Sequence, residues 1–283
     1  MCWGRIVAKK DDLQVIDCAV CGHAHLNPIP EERKLREYYD NDRFYAEHSP
    51  SDWLLKEARE FNAGYWNPGY DYQLDLLPSL PILDVGSGIG AFLKRAYDKG
   101  WFGIGVEPSA SARKVISCQN LFRDIEGAEF IYKISEIKMN VRMALVLEHI
   151  PEPVEFVQQY AKYLRASGKM IVIVPNEFSP LQKRIKGNHF VSNVHINYFN
   201  PEGLRRVMRD AGLSVVHESA TFPMELFVLA GIDYRNNDAL GRKVHMARLR
   251  FEKSVGKKAF RLYEYLYKKY GWGRELIFVG SKQ

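Results

Sequence analysis

The chain has 283 residues, 46% hydrophobic and 26% charged, with a formal net charge of +6. This is ordinary globular composition, which excludes wholesale disorder, and no apolar run approaches the ~20 residues that cross a bilayer. Four cysteines argue against a disulfide framework, and a start without an apolar signal core makes a cytoplasmic location the expectation. The charge is uneven: residues 242–274 hold eleven Lys or Arg against Glu252 and Glu264, so +9, which leaves −3 elsewhere. A uniformly basic nucleic-acid coat is excluded by that asymmetry.

Residues 1–30 read as short strands around Cys18-Ala19-Val20-Cys21-Gly22, closing at Asn27-Pro28-Ile29-Pro30. Charged helical sequence starts at Glu31, followed by a stretch dense in aromatics that includes Tyr38, Tyr39, Tyr45, Tyr70 and Tyr72. Buried strands then alternate with helices: strands over 81–85, 101–106, 129–134, 141–147, 169–174 and 213–217, and helices over 91–99, from 109, 151–164 and 201–211. That alternation predicts an α/β fold with a mostly parallel sheet covered on both faces. It fails between about 224 and 273, where Val244, Ala247, Phe251 and Val255, then Phe260, Tyr263, Leu266 and Tyr270, recur at helical spacing. A last strand is expected over 276–279. The expected organisation is an N-terminal cysteine-containing segment and aromatic cap (1–75), a core (76–223 plus 274–283), and a basic helical insertion or lid (224–273).

The strongest local signal is Ile82-Leu83-Asp84-Val85-Gly86-Ser87-Gly88-Ile89-Gly90, a strand running into alternate glycines with a helix behind. Glycine is needed where a ligand touches backbone or where φ is positive, and the helix start offers N–H groups. Glu107 ends the next strand, where its carboxylate can accept from both hydroxyls of a ribose. A tight turn in a ligand-free core is the plain alternative. A nicotinamide dinucleotide is another, although it usually wants its last glycine one position later. Asp84 suits a nucleoside with an amino-acid tail, since the acid can face an ammonium or orient the loop through water.

On Asp84–Gly90, Glu107, Val146–Pro153, Gly168–Asn176, His195–Leu204 and Asp210–Leu213, the chain resembles the class I S-adenosylmethionine-dependent methyltransferases, over roughly residues 80–220 and the final strand. The segment Val146-Leu147-Glu148-His149-Ile150-Pro151-Glu152-Pro153 is similar to the subgroup of ubiquinone-type O-methyltransferases. The resemblance implies a Rossmann-like seven-stranded sheet with its last strand antiparallel. It implies S-adenosylmethionine as cofactor, held by Asp84, Gly86, Ser87, Gly88, Gly90, Glu107, Pro108, Ser135, Leu147 and Glu148, with Tyr45 closing over it from the cap. His149 and His195 are the candidate catalytic bases. Each also has a structural alternative: His149 as a cap for the following helix or an anchor for the cofactor loop, His195 as a hydrogen-bonded loop residue.

Cys18-x-x-Cys21 is half of a tetrahedral zinc site, with Cys2 as a third ligand and His23 or His25 as the fourth. Because only one cysteine pair is complete, the preferred expectation is a metal-free knuckle with thiols packed as small apolar groups. The basic insertion is either a solvated face or a lid holding a phosphate, nucleotide-sugar or acidic glycan, with Arg242, Lys243 and His245 first in line. The expected function is methyl transfer to a small, anionic or sugar acceptor, most simply at a hydroxyl. An RNA methyltransferase and a non-catalytic cofactor-binding protein are the alternatives.

Overall fold

The computed structural model describes residues 2–31, 67–109, 112, 138–185, 191–192 and 194–283. Three short strands come first: β1 (Gly4–Lys10), β2 (Leu13–Cys18) and β3 (Ala24–Leu26). Helix α1 (Gly69–Asp75) leads into β4 (Ile82–Val85), α2 (Ala91–Asp98) and β5 (Gly103–Val106). After β6 (Asn140–Ala144) and a 3-10 turn (Leu147–His149) come α3 (Pro153–Ala161), β7 (Lys169–Pro175) and β8 (Asn197–Tyr198). The chain ends with α4 (Pro201–Asp210), β9 (Leu213–Ala220), α5 (Glu225–Leu229), α6 (Asp238–Val255), α7 (Lys257–Tyr270) and β10 (Glu275–Lys282).

The main sheet has the order β5-β4-β6-β7-β10-β9. Strands β4 to β7 are parallel, and β10 runs antiparallel to both its neighbours. Six strands are therefore seen among the described residues; the strand expected over 129–134 lies outside them. The antiparallel last strand is as expected. The tyrosines at 38, 39 and 45, and Ser135, also lie outside the described residues.

Both faces of the sheet are covered, so its strands read as continuous apolar runs whose alternate residues enter different cores. Met170, Val172 and Val174 of β7 join Leu83, Val157, Leu204 and Val207 on the side of α3 and α4. Ile171 and Ile173 point the other way, to Ile82, Leu74 and Phe92 beside α1 and α2. Local caps fix the helices: the Asn200 side chain accepts from the Gly203 N–H at 2.7 Å, with Pro201 at the first position. Asn140 pins the start of β6, donating to the carbonyls of Pro78 and Leu80 and accepting from the Lys169 N–H.

The segment between β9 and β10 is helical. Its α7 covers the exposed edge strand β9: the Tyr267 hydroxyl bonds Glu218 at 3.0 Å, and Phe260 stacks on Tyr72 of α1 at 4.8 Å. The first three strands form a second, small antiparallel sheet, β1-β2-β3-β8. Its fourth strand is the two-residue β8, which follows the main sheet's β7 in the chain and so ties the N-terminal sheet to the core.

Candidate active site at the carboxyl edge of the parallel strands

Because β4 to β7 run the same way, the residues after Val85, Val106, Ala144 and Pro175 converge on one edge. This is the edge where ligands sit in open α/β sheets. The glycine loop, Glu107, the turn Leu147–His149 and Glu177 all lie there.

The loop after β4 turns on three left-handed glycines, Gly86 (φ 69°), Gly88 (φ 55°) and Gly90 (φ 75°), the last serving as N-cap of α2. A side chain at Gly86 would also collide with Val146, whose Cγ2 lies 2.4 Å from where a Cβ would stand. The Gly86 and Ser87 N–H groups donate to the Val106 carbonyl, fastening the loop to β5. Glu107 turns into the cradle: its carboxylate accepts from the Gly88 N–H at 2.8 Å and from the Ser109 N–H at 2.9 Å. Gly86, Ser87, Gly88 and Glu107 are partly exposed, so a ligand can reach this backbone, whereas Ile89 and Gly90 are buried. The Ser87 hydroxyl packs over Gly105 of β5, where the missing side chain leaves room for it, so the contribution of Ser87 is its backbone. Pro108 is exposed beside the acid.

Asp84 corrects the sequence reading. Its side chain lies on the α1/α2 face of the sheet, fully buried, where Oδ1 accepts from Arg142 of β6 at 2.6 Å. Arg142 in turn donates to Gln73 of α1 and lies over the Phe92 ring of α2 at 4.1 Å. Asp84 thus faces a guanidinium inside the helix layer rather than the ammonium of a ligand.

The turn after β6 starts with strain: Leu145 is left-handed (φ 58°) and 46% exposed, at the site edge. Leu147 is fully buried beneath the turn. Glu148 is only 1% exposed, and burial pushes its carboxyl up to about 8, with Glu177 and Glu275 adding to the rise and His195 opposing it. The His149 Nδ1 lies 2.8 Å from the Val194 carbonyl, which can only accept, so Nδ1 carries the proton and Nε2 carries the lone pair of the neutral ring. That Nε2 is 3.9 Å from Glu148 Oε1. The His195 ring is edge-on to His149 at 5.0 Å, and its Nδ1 contacts buried Glu177 at 2.8 Å. Burial works against the charged form of His195, but the hydrogen bond and charge of Glu177, with Glu148, hold its proton affinity above the ordinary value.

Two imidazoles and two buried carboxylates therefore gather beside the cradle. Glu177 and Leu145 escape sequence reasoning, although the step from a fully apolar strand to Asn176-Glu177 at its carboxyl end is a usable signal. Asn197 is a further positioning residue: its amide donates to the carbonyls of Leu147 and Ile150, and its oxygen meets His23 at 2.9 Å. On the insertion, Arg242, Lys243 and His245 are exposed on α6.

A glycine cradle between the first two parallel strands, with an acid from the second turned into it, defines a Rossmann-like protein built for a nucleoside-type ligand. A family model described as a methyltransferase domain matches residues 55–218, more than half of the chain, and the chain belongs to that family. Its fold is that of S-adenosylmethionine-dependent methyltransferases. It is similar to such an enzyme from Thermotoga maritima (17% identity, TM-score 0.51, 87% of this chain and 100% of that one). It is also similar to a chain from the complex of the Haloferax volcanii Trm112 methyltransferase activator with a methyltransferase (16% identity, TM-score 0.50, 85% and 96%). No curated protein matches the chain.

Proposed function

We propose that the protein transfers a methyl group from S-adenosylmethionine to a hydroxyl of a small acceptor, a sugar or polysaccharide precursor, with His149 as the general base. The observation that carries this is the Glu107 carboxylate bonded to the Gly88 N–H within a left-handed glycine loop, on the same sheet edge as His149. A nucleoside with adjacent ribose hydroxyls fits that pairing, because Glu107 has acceptor capacity beyond the two backbone donors it already meets.

When bound, the sulfonium cofactor supplies an electrophilic methyl group. The work of the chain is to bind, orient and move a proton. The Gly86–Gly90 backbone receives the amino-acid end, and Glu107 orients the ribose. Pro108, Leu147 and Glu148 shape the wall. Ser135 and Tyr45 are proposed to complete the pocket. An attacking hydroxyl must lose its proton as the new bond to carbon forms. His149 takes it on Nε2, since Val194 fixes the tautomer. His195, paired with Glu177, orients the acceptor. The sugar class rests on the likeness of residues 146–153 to the O-methyltransferase subgroup and on the positive α6–α7 insertion beside the core.

Calorimetry tests the cofactor reading: binding of S-adenosylhomocysteine is expected, weakened ~10–100-fold in Glu107→Ala, the loss of one to two charge-assisted hydrogen bonds. Binding of NAD with none of S-adenosylhomocysteine overturns it. For the base, His149→Ala is expected to lower kcat by about 10²–10⁴ while leaving cofactor affinity unchanged. Unchanged turnover removes His149 from that role.

A further inference from the structure

The N-terminal sheet holds a group of side chains that the methyl-transfer reading does not use. Cys2 precedes β1, Cys18 ends β2, Cys21 sits in the β2–β3 turn and His25 lies in β3. Their donor atoms, three sulfurs and one ring nitrogen, all lie within 4.8 Å of one another. The Cys2 and Cys21 sulfurs are 3.5 Å apart. In a tetrahedral zinc site with Zn–S near ~2.3 Å, the edges between sulfurs are about 3.8 Å, so these separations bracket the required figure. A disulfide needs sulfurs at about 2.05 Å, and it would use neither the third thiol nor the imidazole. The three cysteines are free.

The imidazole supplies an independent pointer. His25 is 1% exposed, and its Nδ1 lies 2.7 Å from the Leu26 carbonyl. A carbonyl only accepts, so Nδ1 is the protonated nitrogen and Nε2 presents a lone pair. That Nε2 is buried without a hydrogen-bond partner of ordinary geometry. A backbone carbonyl holding one nitrogen so that the other is aimed at a metal is a recurrent outer contact of metal-bound histidine. The turn contributes too: the Cys21 N–H points at the Cys18 sulfur at 3.4 Å, Gly22 is left-handed at φ 73°, and its N–H bonds the Cys18 carbonyl. An N–H donated to sulfur stabilises a thiolate. His23, the other candidate of the sequence, is not among the donors that lie together; its Nε2 meets Asn197 at 2.9 Å and its ring lies 5.0 Å from that of Phe199.

We propose that Cys2, Cys18, Cys21 and His25 form a closed structural zinc site. All four positions are filled by protein, which leaves no coordination place for a substrate, so the metal staples rather than catalyses. What it staples is β1, β2 and β3. Through the pairing of Ala24 and His25 with Tyr198 and Asn197, it also supports the strand that holds the 147–150 turn. The proposal is independent of the methyl-transfer reading, because none of its four ligands is a residue assigned to the cofactor or the acceptor.

The test is elemental analysis of the full chain, purified with added zinc and then dialysed. About one zinc per chain is expected, lost in Cys18→Ser and Cys21→Ser and kept on replacing the fourth cysteine of the sequence, Cys118→Ala. Replacing the zinc with cobalt is expected to give the intense visible bands of tetrahedral thiolate-bound Co²⁺. If the cysteine variants fail to fold, the wild-type cobalt spectrum and a zinc titration of the metal-stripped chain still decide. His195→Gln serves as the control for the second cluster of possible donors, Glu148, His149 and His195. Zinc lost in that variant but retained in Cys18→Ser overturns the proposal. So does a folded wild type with no zinc and no cobalt band, or a mass two hydrogens light from a disulfide.

Discussion

Glu148 lies at the junction of cradle and acceptor side with almost no contact with water, and its proton can be followed. An unfolded chain ionises this carboxyl near the ordinary 4.5, the folded one at about 8. Between those values the native state holds the extra proton. Stability is therefore greatest below the lower value, falls as the pH climbs through the window, and levels off above the upper one. Glu148→Gln is expected to flatten this decline, which denaturant unfolding at several pH values would show as a difference of several kcal/mol at the alkaline end. His195, held above 6.5 by Glu177, contributes stability that is likewise lost as the pH rises past its folded value. The difference between wild type and variant isolates Glu148. Equal pH slopes in the two proteins would show that Glu148 ionises as it does in water. None of this was legible in the sequence, where Glu148 reads as a cofactor-binding residue beside a candidate base; its environment comes from a strand end and a loop far along the chain.

At the scale of elements, the buried runs of β4, β6 and β7 and the helices between them were readable, because covering both faces demands continuous apolar strands. β8 was not. Two residues carry no periodicity, and their pairing with β3 spans most of the chain. Asp84 was misread for a related reason: its partner Arg142 lies on the adjacent strand, in register across the sheet, and no local pattern announces it. The corrected placement has a consequence for Asp84→Ala, which leaves a buried guanidinium uncompensated. It is expected to cost about 3–5 kcal/mol in denaturant unfolding, with native-state S-adenosylhomocysteine affinity nearly intact. The opposite pattern, affinity lost with stability kept, would return Asp84 to the ligand. Gly86→Ala must place a Cβ on a left-handed residue pressed against Val146, so it is expected to lose ~1–3 kcal/mol together with cofactor binding.

On the scale of the molecule, a few of the eleven cations counted in residues 242–274 pair with acids, two of which belong to the same segment. Lys257 pairs with Asp75, Lys268 with Glu264 and Arg248 with Glu252. Arg242 and Lys243 are on the exposed face of α6. If that face holds an anionic acceptor, Arg242→Glu with Lys243→Glu is expected to raise KM for a nucleotide-sugar ~10-fold or more with kcat unchanged. An unaltered KM would make it a solvated surface.

The position of β10 carries a kinetic consequence. It pairs with β7 through Glu275 and Pro175, one hundred residues apart, and with β9 on its other side. Until it docks, β7 presents a raw edge to other molecules and β9 has no strand partner in the main sheet. Such a distant closure is entropically slow. Refolding should therefore pass through a sticky, half-zipped species, and the yield of active protein should fall as the concentration during refolding rises.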